Sequence, residues 1–99
     1  MIQPFHLAIP VQNLEKCRTF YRDILNCEEG RSSEHWVDFN FFGHQLVIHQ
    51  KDGFNPERIF NPVDGHDVPV PHFGVVLTWE DWHSLANQLK VASYSAVHH

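Results

Sequence analysis

The sequence predicts an α+β fold, a βαβββ module followed by the first strand and helix of a second module. Three observations carry that expectation. Residues 5–10, 35–42 and 44–50 alternate apolar with polar side chains, the period of a half-buried strand. Leu14, Cys17, Tyr21, Ile24 and Leu25 recur at helical spacing on one face. A histidine that opens a short apolar strand and leads into an amphipathic helix occurs twice, at His6 and at His72, each followed two residues later by a small residue, Ala8 or Gly74. Such a repeat is what two copies of one unit produce.

The elements follow in order. Phe5, Leu7 and Ile9 share one face of the first strand and His6 and Ala8 the other, with Pro10 expected to end it. Asn13 is a good helix N-cap and Asn26 a good stop. Residues 27–33 read as a short polar strand, with Glu28 and Glu29 as surface charges on it. In the next strand Trp36, Asp38, Asn40 and Phe42 lie opposite Val37, Phe39 and Phe41. Gly43 makes a tight turn, and the following strand sets Leu46 and Ile48 against Gln45, Val47 and His49. These elements make residues 4–50 the first module. Residues 51–71, with six Gly and Pro positions from Gly53 to Pro71, read as a connecting loop. Residues 72–78 form an apolar strand. Thr78 and Asp81 then resemble a capping box ahead of Trp82, Leu85, Ala86 and Leu89, so 72–90 is the start of a second module. Residues 91–99 are an atypical tail.

Composition bounds the function. A chain of 99 residues with 42% hydrophobic and 19% charged residues is one globular domain near the size at which a single core suffices. A net charge of −5 supplies no basic footprint, which argues against nucleic acid and against anionic membrane surfaces. No long apolar run or leader pattern is present in the sequence, so the default expectation is a cytoplasmic protein. Cys17 and Cys27 form no CxxC motif and read as reduced thiols.

Nine histidines are the chemically informative residues. Two imidazoles at equivalent strand positions facing one cleft suggest a metal site; a pair of strand histidines satisfied by backbone partners is the plainer alternative. His44, His66 and His83 read as ordinary. The aromatic residues Trp36, Phe39 and Phe41 are core candidates and also candidates for lining an apolar substrate pocket.

The stretches Phe5-His6-Leu7-Ala8-Ile9-Pro10-Val11, Phe20-Tyr21-Arg22-Asp23-Ile24-Leu25, Asp38-Phe39-Asn40-Phe41-Phe42-Gly43-His44-Gln45-Leu46-Val47 and Pro71-His72-Phe73-Gly74 resemble the vicinal oxygen chelate superfamily, the group of glyoxalase I, fosfomycin- and bleomycin-resistance proteins and extradiol dioxygenases. The resemblance implies paired βαβββ modules around one divalent metal ion (Fe, Zn, Ni or Mn) that binds a small substrate through adjacent oxygens. It implies His6 and His72 as metal ligands, with His49 as a further ligand from the last strand of the first module. The carboxylate expected on the last strand of the second module has no counterpart, so the chain reads as C-terminally incomplete, truncated or frame-shifted, with impaired activity. An open sheet edge would then favour a homodimer or other self-association. The competing reading is a metal-free binding protein that sequesters an aromatic or drug-like molecule, and a third is a fragment without a ligand.

Overall fold

The computed structural model describes residues 3–53, 60–63, 66–69 and 72–98. Strand β1 (His6–Val11) leads into helix α1 (Leu14–Thr19), which runs on as a π-helical turn over Phe20–Ile24. Strands β2 (Glu28–Ser32), β3 (Trp36–Phe41) and β4 (His44–Gln50) follow. After them come β5 (Phe60–Val63), β6 (His66–Pro69) and helix α2 (Trp79–His98). The first four strands form one sheet in the order β1-β4-β3-β2, with β1 parallel to β4 and the other neighbours antiparallel. Parallel neighbours need a crossover connection, and α1 begins it.

Local chemistry fixes each boundary. Asn13 Oδ1 accepts the Lys16 N–H at 3.0 Å, the N-cap bond expected of that residue. Gln50 Oε1 accepts the Leu14 N–H at 3.0 Å, so the last strand of the module satisfies another orphan donor of the helix. At the far end Asn26 takes a left-handed conformation (φ 58°) and the Cys27 N–H donates to the Tyr21 carbonyl at 2.8 Å. The β3–β4 hairpin turns on Phe42 (φ 52°) and Gly43 (φ 87°). Two positive φ values suit the right-handed twist of a two-residue hairpin, and the Gly43 N–H is held by Asn40 Oδ1 at 2.8 Å.

Strand alternation divides the sheet into two faces. Val11, Leu14, Cys27, Val37, Phe39 and Ile48 form the core between α1 and one face, with Ile9, Cys17, Tyr21, Leu25 and Phe41 packed on it. The helical stripe expected from the sequence is the stripe that is buried. Phe39, only 1% exposed, is the centre of the layer, with the Tyr21 ring 5.5 Å away. A bidentate pair then ties helix to sheet: Arg18 Nε and Nη2 donate to Glu29 Oε1 and Oε2 at 2.6 and 2.9 Å. Glu29 is therefore a tether rather than a plain surface charge, and the Arg18 hydrogen bonds hold its carboxyl below the ordinary value of 4.5.

Four segments depart from the sequence expectation. Within the expected loop 51–71, β5 and β6 pair as an antiparallel ribbon, Phe60 opposite Pro69 and Val63 opposite His66. Pro62 and Pro69 are tolerated because both strands of a two-stranded ribbon are edges. Residues 72–78, expected as a strand, join no ladder among the described residues; their apolar run meets no neighbouring backbone to pair with. The helix expected to stop at Lys90 continues to His98, since no Gly or Pro interrupts Trp79–His98. Its start is as expected, with the Asp81 N–H donating to Thr78 Oγ1 at 3.2 Å. Pro10 likewise does not end β1, which reaches Val11 along the edge of the sheet.

Phe39→Ala should destabilise the protein by about 3–5 kcal/mol, read by denaturant unfolding, because the helix and sheet cannot both collapse onto the vacated site. Glu29→Gln should lower stability at neutral pH by about 0.5–1 kcal/mol. A carboxyl whose folded value is depressed stabilises above its unfolded value and loses that contribution as pH falls through the folded one. The wild type should therefore lose stability more steeply than Glu29→Gln from pH 4.5 downwards in a pH series of melting temperatures. Parallel curves would remove the tether from the account.

Candidate functional site

The face of the sheet opposite α1 carries the polar side chains of the strands. Register places them in rows. His6 pairs with Gln45, and Gln45 with Asn40, which in turn pairs with Glu28. The next row is Ala8, Val47 and Asp38, and the third is Pro10, His49 and Trp36. Val47, buried between Ala8 and Asp38, makes an apolar floor between two polar ends.

At the His6 end the start of β1 is pinned by β4. The Gln45 N–H donates to the Phe5 carbonyl at 2.9 Å, and the Phe5 N–H donates to His44 Nδ1 at 3.0 Å. The His44 ring also stacks on Phe5, with centroids 4.2 Å apart. His44, an ordinary histidine on sequence grounds, thus holds Phe5, the residue before His6, against the start of β4. The missed signal is its place next to Gln45, legible only once β1 and β4 are known to be parallel neighbours. Beside this row the Gln45 amide donates through Nε2 to Asp38 Oδ2 at 3.1 Å. A cavity of about 350 Å³ opens there between Pro4, Glu28, Gly30, Asp38, Asn40 and Gln45.

The sequence-derived candidates are distributed as follows. His6 is exposed on the open face. His49 shares that face but lies four residues along β4 from Gln45, about 13 Å at the rise of a strand. Nitrogens that ligate one ion lie within about 4 Å of each other. Register therefore sets Gln45, not His49, beside His6; His49 neighbours Trp36 instead, their rings 6.4 Å apart. His72 is exposed at the start of 72–78. The residue after it, Phe73, packs edge-on against Phe41 at 5.7 Å, on the α1 side of the sheet rather than the His6 side. Among the described residues no three His, Cys, Asp or Glu side chains come together as a metal-binding group.

The aromatic candidates separate as well. Trp36 belongs to the open face, Phe39 is enclosed in the core, and Phe41 faces the α1 side. There Phe41, with Phe5, Leu7, Leu46 and Phe73, lines a second cavity of about 250 Å³. Neither cysteine offers a nucleophile. Cys17 and Cys27 are free, and burial pushes both thiols above their ordinary value. Among the described residues no helix is long and apolar enough to cross a membrane.

No protein-family model matches the sequence, and no curated protein does. Solved structures do match. A glyoxalase/bleomycin resistance protein/dioxygenase from Alicyclobacillus acidocaldarius superposes with a TM-score of 0.71 at 30% identity over 89% of this chain. The chain spans 61% of the length of that protein. The fosfomycin resistance protein FosX from Listeria monocytogenes gives a TM-score of 0.66 at 20% identity, over 94% of this chain and 69% of its own. Lactoylglutathione lyase from Agrobacterium tumefaciens gives 0.57 at 15% identity, over 93% and 70%. The last two share the fold. All three of these structures are members of the vicinal oxygen chelate superfamily, and it is their fold that this chain shares.

Proposed function

We propose that the chain forms part of a metal-dependent site of the glyoxalase or dioxygenase type, which takes a small substrate bearing adjacent oxygens. The observation that carries this reading is the pairing of His6 with Gln45 on the open face, where Gln45 also lines a cavity. The donor set fits a divalent ion in part. His6 offers an imidazole nitrogen, and Gln45, whose Nε2 is engaged by Asp38, has its carbonyl oxygen left as an acceptor. Within this chain neither of the other candidate ligands stands beside His6: His49 lies too far along β4, and His72 precedes Phe73, which packs on the opposite face of the sheet. A bound divalent ion would supply Lewis-acid polarisation of the substrate oxygens. The protein's own share is to hold the start of β1 through the Phe5–His44 contacts and to offer a polar rim to the substrate.

In the same proposal β1, at the end of the strand order, is the edge through which a second copy completes the site. A second reading has one observation in its favour. The 250 Å³ cavity between Phe5, Leu7, Phe41, Leu46 and Phe73 suits a small apolar or aromatic ligand without metal.

Titration of the full chain with Zn²⁺, Mn²⁺ and Ni²⁺ by calorimetry, with elemental analysis of protein purified without an affinity tag, tests the two. Wild type should bind one ion per site. His6→Ala should weaken binding beyond the about 10–100-fold that an outer-shell partner is worth. Binding unchanged in His6→Ala, or none in wild type, would overturn the metal reading. Retention of an aromatic probe that Phe41→Ala releases and His6→Ala does not would support the second.

A further inference from the structure

We infer that the 250 Å³ cavity on the α1 side of the sheet takes a neutral single-ring aromatic compound bearing a carbonyl oxygen, and that His44 selects it through a hydrogen bond from Nε2. On the metal-free reading above, on which this proposal rests, the cavity gains a ligand class and the residue that chooses it. His44 pairs with Phe41 across the β3–β4 hairpin and so stands on the same face as that ring. Its imidazole lines the cavity together with Phe5, Leu7, Phe41, Leu46 and Phe73.

The tautomer of His44 follows from its neighbours. A neutral imidazole has one nitrogen that accepts and one that carries a proton. The Phe5 N–H donates to Nδ1 at 3.0 Å, so Nδ1 is the acceptor and the proton stands on Nε2. The Phe5 ring, stacked at 4.2 Å, steadies the imidazole in this contact. Among the described residues nothing accepts from Nε2. Phe73 to Val76, which close the cavity from the other side, bring no side chain able to do so. A donor without a partner beside apolar rings is where a ligand oxygen gains most, because leaving it unpaired costs free energy.

Charge and size narrow the ligand further. Among the described residues that line the cavity none is a lysine or an arginine, so an ionised carboxylate would leave water without gaining a counter-charge. A ligand cation would meet a donor where it needs an acceptor, and a pure hydrocarbon would leave Nε2 unsatisfied. A carbonyl oxygen on an apolar body meets all three conditions. An apolar cavity of about 150 Å³ takes up benzene, so one of 250 Å³ holds a single ring with its substituent. Phe41 and Phe73, edge to face at 5.7 Å, give that ring aromatic surface to pack on.

The test uses two probes that differ only at the polar atom. Acetophenone and ethylbenzene share ring and chain length, one with a carbonyl and the other with a methylene. Binding of each to the full chain is followed by ligand-observed NMR titration for wild type, His44→Phe, His44→Asn and His44→Gln, with circular dichroism as a check on folding. The acetophenone-to-ethylbenzene affinity ratio should fall about 3–10-fold in His44→Phe, the worth of one hydrogen bond. His44→Asn keeps an acceptor for the Phe5 N–H but falls short of the Nε2 position, so it should lose the preference equally. His44→Gln reaches that position with an NH₂ group and should keep it. A merely structural role for His44 would weaken both probes together and leave the ratio unchanged. An unchanged ratio in both His44→Phe and His44→Asn would overturn the role of His44, while ethylbenzene that binds wild type and is released by Phe41→Ala would leave the cavity reading standing. Failure of both probes to bind wild type would overturn the cavity reading and the ligand class with it.

Discussion

The parallel pairing of β1 with β4 is the constraint on which the rest of the structure depends. It joins segments 39 residues apart at the Phe5–His44 contact and makes the start and the end of the module lie side by side. Parallel neighbours cannot be made by a hairpin, so the chain between them must leave the sheet and return. That excursion is α1, the π-helical turn and the β2–β3 segment. Bonds at both ends of the pairing hold it in register, Gln45 and His44 on Phe5 at one end and the Lys51 N–H to the Val11 carbonyl, at 2.9 Å, at the other. Gln50, one residue earlier, also caps α1, so that a single strand fixes both the edge of the sheet and the entry of the helix.

Once the sheet is closed in this way, its two faces have different tasks. The α1 side takes Val37, Phe39 and Ile48 out of water and supplies the stability of a small domain. The other side is released from packing, and polar residues can occupy it without burial of unpaired groups. Among the described residues no buried side-chain nitrogen or oxygen lacks a partner. This division separates Trp36 from Phe39, neighbours in a single ring-rich stretch of sequence that meet different surroundings. The same division explains how His6 can stay exposed while Leu7, the next residue, faces the packed side.

Helix α2 extends the module only at one end. It meets the first helix where Gln88 Nε2 donates to the Ile24 carbonyl, near the π-helical turn. Leu85, Ala86 and Leu89 are half-buried, whereas Trp79 and Trp82 remain 76% and 57% exposed. The apolar stripe of α2 is thus wider than the surface this chain offers it. In the Alicyclobacillus structure the corresponding fold is carried by a longer chain, of which this one spans 61%.

The sequence by itself determined the elements of the first module, because period-two alternation and a helical stripe are properties of a few neighbouring residues. Asn13, Asn26 and Gly43 marked its ends for the same local reason. The fold of the superfamily was legible in the stretches around His6, Phe20–Leu25 and Phe39–Val47, where those local patterns combine. Register lay outside its reach, since a slip of two residues leaves alternation intact and yet changes which side chain stands beside His6. Only the β1–β4 pairing placed Gln45 there and moved His49 down the strand to Trp36. Pairing partners also decided the remaining segments. The proline-rich stretch found one in itself and became the β5–β6 ribbon, whereas the apolar run 72–78 joined no ladder among the described residues. Strand character is a property of two backbones, and one segment of sequence describes only one of them.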